Sequence, residues 1–120
     1  MVEGMRNMKV IEELRGAFAE MGFVPPEVSQ LLNFDPRIID NTVNGARDEV
    51  ESYAMDTIRH AADIILYAER GEWDRVASLA SLIGTKADRI RHYADVGRRA
   101  ARLKERVTAI LEKDLKDSDV

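Results

Sequence analysis

Along the last two-thirds of the chain, apolar and small residues return every three or four positions. One stripe runs Ile39, Val43, Ala46, Val50, Ala54, Thr57, Ala61, Ile65, Ala68, and a second runs Val76, Ala80, Ile83, Ala87, Ile90, Ala94, Gly97, Ala101. Steps of three and four put each set on one face of a helix. Only Arg70-Gly71-Glu72 separates the two stripes. The pattern therefore predicts a long antiparallel hairpin, 36–70 against 72–115, closed along a narrow seam of small side chains.

The first third predicts two further helices. Ile11, Leu14, Phe18 and Met21 make one apolar face of a helix over 3–21, and Gly22 stands where a left-handed C′ residue ends many helices. Pro25-Pro26 cannot continue that helix, but Pro26 can open a short one over 26–33 that turns Val28, Leu31 and Leu32 inward. Between them Phe23 and Val24 read as an apolar strap against the bundle. Asp35 then reads as an N-cap with Pro36 at N1. Gly45 and Gly84 are weak points of the long helices, since glycine costs about 1 kcal/mol against alanine in a helix interior. The uninterrupted periodicity favours a kink at Gly45 over a break. The fold class expected is all-α: a long antiparallel helical hairpin with one or two additional helices packed across it, a four-helix-type bundle. It forms one domain over 1–115, with a frayed tail over 116–120.

Composition supports a globular chain: 120 residues, 45% hydrophobic and 33% charged, are enough for one packed core. The absence of cysteine excludes disulfides, thiolate metal sites and cysteine nucleophiles. Residues 1–8 carry charges and no apolar run, so the start does not read as a secretory signal, and no stretch is apolar enough to span a membrane. A cytoplasmic location is the expectation. The net charge of −4 is unevenly distributed. Residues 1–74 hold 7 Lys/Arg against 15 Asp/Glu, whereas residues 75–106 hold 9 basic against 3 acidic. An acidic helix beside a basic one favours antiparallel pairing, although each exposed ion pair adds only about 0.2–1 kcal/mol.

Three groups of residues could carry chemistry. Asp56, His60 and Asp63 share one flank of the third helix, with Glu49 a heptad earlier. Bundle metal sites use such spacing but draw matching ligands from several helices, and no Glu-x-x-His partner exists here, so a solvated flank is expected and no metal. Arg91, Arg98, Arg99, Arg102 and Arg106 fall within about a third of the last helix's circumference, with His92 at the edge. Such a stripe could follow a nucleic-acid backbone or an acidic partner, yet Asp88 and Asp95 lie within it and no row of aromatics offers stacking. Trp73, the only tryptophan, is expected to close the end of the hairpin core. No phosphate loop, nucleophile elbow, H-E-x-x-H or ribonuclease-type Arg-His spacing is present, so no catalytic residue and no cofactor is expected.

The corner from Ala61 through Ala68-Glu69-Arg70-Gly71-Glu72-Trp73 to Ala80 resembles the hairpin of tetratricopeptide-like units, where alanine-rich helices meet at a Gly-Glu or Gly-Asp turn. The 34-residue period of those units is not repeated, so the resemblance implies a tight corner and no function. The functional expectation rests on apolar residues that a two-helix seam leaves over. Ile58, Leu66, Trp73, Leu79, Leu103, Val107 and Ile110 are the candidate interface, to be covered by a homodimer or a protein partner. The chain is thus expected to be a non-enzymatic interaction or assembly module. The alternative is a nucleic-acid-binding subunit using the arginine stripe.

Overall fold

The structure, a computed structural model, describes residues 2–118, with side chains from Met8 to Lys116. Four helices follow in order: α1 (Val2–Glu20), α2 (Val28–Leu31), α3 (Arg37–Glu69) and α4 (Trp73–Ser118). No strand occurs among the described residues, and α3 and α4 pack against each other as an antiparallel pair. Both long helices run without interruption through Gly45 and Gly84. No described helix is long and apolar enough to cross a membrane.

Contacts group the chain into two compact units. The first holds the residues up to Val43 together with those from Arg98 onward. Its core is built from Leu14, Ala17 and Phe18 of α1, Leu31 of α2, Phe34 and Ile39, and Ala100, Leu103 and Val107 of α4. Phe18 and Phe34 meet edge to face at 5.7 Å, the arrangement that ring quadrupoles favour. Leu14 and Val107 are fully buried, and such side chains contribute about 1.5–3 kcal/mol each by leaving water.

The turns of this unit follow local chemistry. Gly22 takes φ +78°, and the Phe23 and Gly22 N–H groups donate to Phe18 O and Ala19 O at 2.9 and 3.0 Å. That pair of bonds is a Schellman ending, satisfying carbonyls that α1 would otherwise leave open. At the start of α3, Asp35 Oδ1 accepts the Arg37 backbone N–H at 2.9 Å, the N-cap its sequence position predicts. The short helix is one turn, beginning at Val28 with no side-chain cap from Glu27, not at Pro26. Phe23 packs against the core as anticipated, whereas Val24 stands 91% exposed and is no part of a strap.

The second unit is Asn44–Gly97, the hairpin proper. Its corner repeats the Schellman geometry: Gly71 has φ +72°, and Glu72 N and Gly71 N donate to Tyr67 O and Ala68 O at 2.9 and 3.1 Å. The inward positions of α3 are Ala46, Val50, Tyr53, Thr57, His60, Ile64 and Tyr67; those of α4 are Val76, Leu79, Ile83, Lys86, Ile90, Tyr93 and Gly97. Every interval is three or four in strict alternation, the 3.5-residue repeat of a coiled-coil seam.

This register corrects the expected one. On α3 Tyr53 takes the seam position expected of Ala54, and after Thr57 the sequence stripe leaves the seam altogether, with Ala61 and Ile65 facing solvent. On α4 the companions of Val76, Ile83 and Ile90 are Leu79, Lys86 and Tyr93, while Ala80 and Ala94 are exposed, as is Ala101 in the first unit. The physical reason is reach: a methyl group cannot fill the space between two helix axes that Leu79, Tyr53 or Tyr93 fills. The seam is therefore not alanine-lined. It is narrow at Gly97, where an added Cβ would lie 3.5 Å from Ala46 Cβ.

Candidate protein-interaction face

With the seam known, the remaining positions of Asn44–Gly97 sort into two flanks. In an antiparallel pair, the residues just before one set of seam positions share a side on both helices, and those just after the other set share the opposite side. Glu49, Asp56 and Asp63 of α3 lie on the first flank, with Arg75 and Arg89 on the α4 side of it. Lys86 Nζ sits 3.4 Å from Asp56 Oδ2 and 5.2 Å above the Tyr53 ring, which stacks on Tyr93 at 6.0 Å. Thr57, in the next seam layer, donates its hydroxyl to Tyr53 O at 2.9 Å. The Lys86–Asp56 pair bridges the two helices on this flank, and Leu82, on its α4 side, is 45% exposed.

The other flank is apolar. Between Ala54 and Ala68 its α3 positions are Ala54, Met55, Ile58, Ala61, Ala62, Ile65 and Ala68, with no charged residue among them. Met55, Ile58 and Ile65 are 53%, 62% and 63% exposed, and Leu66 beside them is 41% exposed. On α4 the same side offers Ala77, Ala80 and Gly84, all exposed, and an added Cβ at Gly84 would meet nothing within 4 Å. Trp73 begins this row of α4 and is 65% exposed, so it does not close the hairpin core. The face thus combines a ridge of large side chains on one helix with a shallow groove of small ones on its neighbour. Large apolar surface left in water is unfavourable at roughly 25 cal/mol per Å².

The structure divides the predicted interface residues. Ile58, Leu66 and Trp73 are exposed in the second unit. Leu79 is a half-buried seam residue. Leu103 and Val107 are corrected outright: α1 covers them, leaving 2% and 0% of their surface exposed, and Ile110 packs against the same core. They are unavailable to a partner while α1 is docked.

The arginines divide as well. Arg91, in the second unit, pairs with Asp88 at 3.3 Å. In the first unit, Arg99 donates from Nη1 to Met21 O at 2.8 Å, and its guanidinium lies 5.1 Å from the Phe23 ring centre. Arg106 is ion-paired with Glu20. Two of the five are therefore engaged with the end of α1, while Arg98 and Arg102 present exposed surface on α4. For the metal alternative, Asp56 is turned to Lys86 and Arg59, and His60 is half-buried on the inward face. Among the described residues no three His, Asp or Glu side chains converge as a metal site would require.

Comparison of the chain with protein-family models, with curated proteins and with solved structures produced no match.

Proposed function

We propose that the chain is a non-enzymatic interaction module whose hairpin, Asn44–Gly97, binds protein through the apolar flank of Met55, Ile58 and Ile65 on α3 and Ala77, Ala80 and Gly84 on α4. The observation that carries this reading is the set of flank positions Ala54, Met55, Ile58, Ala61, Ala62, Ile65 and Ala68, none of them charged, on which Met55, Ile58 and Ile65 stand more than half exposed, with Arg59 at its outer edge. Monomeric proteins keep contiguous apolar patches to a few hundred Å², and larger ones mark binding surfaces.

The nucleic-acid alternative has less support, because Arg99 and Arg106 already serve the end of α1. A mobility shift at low and high salt tests it, since phosphate binding weakens steeply as salt rises. The interaction reading is tested with tagged wild-type chain and tagged Ile58→Glu/Ile65→Glu. Wild type retains a protein that the variant releases, either an untagged copy of itself or another chain. Identical retention by both baits, with circular dichroism showing both folded, contradicts the reading.

A further inference from the structure

We infer that the occupant of this flank is a second copy of the chain, with both hairpin corners at the same end and α3 of each copy lying beside α4 of the other. The inference rests on the reading above and adds the identity and arrangement of the partner.

Three features of the flank point to it. The first is size. The run from Ala54 to Ala68 is about 22 Å long at 1.5 Å per residue, and two helices about 10 Å apart make a face about 20 Å wide. That is roughly 440 Å² in projection, before the polar rim, a little over half of the about 800 Å² per partner of a standard interface.

The second is shape. Gly97 lies against Ala46 and Lys86 against Asp56, so residues at one level of the hairpin have numbers adding to about 143. A two-fold axis along the hairpin preserves that register between copies, because each α3 then runs antiparallel to the other copy's α4 at the same height. Ile58 comes opposite Gly84, and Ile65 opposite Ala77. Ridge meets groove, and the symmetry makes it happen twice, as a closed two-fold interface requires.

The third is charge. The same register brings Glu51, at the rim of the α3 ridge, opposite Arg91 of α4; both are exposed. The competing arrangement, α3 against α3 centred on the ridge, would instead bring Glu51 of one copy to Glu69 of the other, and do so twice. Like charges oppose that pairing, whereas opposite charges favour the one inferred.

The chain has no cysteine, so Ile58→Cys and Gly84→Cys each carry a single thiol. The two variants are co-refolded, oxidised and run without reductant. A disulfide-linked dimer in the mixture, absent from either variant alone, is the expected result. Linkage of Ile58→Cys to itself places α3 against α3 and overturns the arrangement; no mixed linkage overturns it too. As an independent check, Glu51→Arg and Arg91→Glu each weaken self-association roughly tenfold through two symmetry-related pairs, and the double reversal restores it. Unchanged association in both single variants overturns the charge register. If wild type retains another protein but never its own copy, the second-copy inference fails while the interaction reading stands.

Discussion

Arg99 Nη1 donates a hydrogen bond to Met21 O at 2.8 Å, joining the residue that follows α1 to α4 across 78 residues of sequence. The same guanidinium lies within 3.7 Å of where a Gly22 Cβ would be and 5.1 Å from the Phe23 ring centre. One side chain therefore caps an open helix carbonyl, covers the glycine corner and packs on an aromatic. A charged hydrogen bond of this kind is worth about 1.5–3 kcal/mol. Arg99→Met keeps the stem and loses the donor, so we expect its folding stability to fall by about that amount in urea titration, with helix content unchanged in water. Arg102→Met, an exposed neighbour, serves as the control and should shift stability by less than about 0.5 kcal/mol.

Two glycine-to-alanine changes should have opposite signs. Gly22 has φ +78°, where a Cβ is strained, and its Cβ would also meet Arg99 Nη1 at 2.7 Å. Gly22→Ala should cost about 1–2 kcal/mol from the left-handed backbone alone. Gly45 lies inside α3 with open space where a Cβ would point, so Gly45→Ala should raise stability by about 1 kcal/mol. Thermal melts of the two variants beside wild type settle both signs.

The cap of α3 carries a pH dependence. The Arg37 side chain donates through Nε to both Asp35 oxygens at 3.1 and 3.0 Å, and with the Arg37 backbone N–H it holds the Asp35 carboxyl below the usual carboxylate range. A carboxylate whose folded pKa is depressed contributes stability that is complete above its unfolded pKa. That contribution is lost as pH falls through the folded value. Asp35→Asn can still cap the helix but does not titrate. Wild type should therefore exceed Asp35→Asn in stability at about pH 6, and the difference should shrink toward zero by about pH 2. A gap that stays constant across melts at these pH values would mean the Arg37 contact does not stabilise the fold.

The long helices, their corner at Gly71, the cap at Asp35 and the stop at Gly22 were all legible in the sequence, because each depends on local chemistry. The seam register was not. Alanine and isoleucine occur on several faces of α3, and a search for the most apolar stripe slides from Thr57 to Ala61 and Ile65 instead of His60 and Ile64. What places the seam is side-chain length across the gap, which selects Tyr53, Leu79 and Tyr93 over smaller neighbours. A strict 3.5-residue repeat imposed on the pattern would have found it. Which apolar residues stay exposed was half legible for the same reason. Ile58 and Leu66 remain exposed, but Leu103 and Val107 belong to the core that α1 covers, and packing between distant segments cannot be read from one helix alone.

That core should respond unlike the exposed ridge. Leu14 is fully buried, so Leu14→Ala should cost about 2–5 kcal/mol through lost burial and the cavity left behind. Ile65 is 63% exposed in the single chain, so Ile65→Ala should cost little at protein concentrations too low for association and more as concentration rises. Denaturation of both variants at two concentrations separates the effects: Leu14→Ala is equally damaging at each, Ile65→Ala is not.

The most direct measurement of whether a second copy covers the apolar flank is sedimentation equilibrium of the wild-type chain across the micromolar range. We expect a mass approaching twice 13.6 kDa as concentration rises, and 13.6 kDa for Ile58→Glu/Ile65→Glu with its helices intact. A wild-type mass of 13.6 kDa at every concentration, matching the variant, would contradict the account.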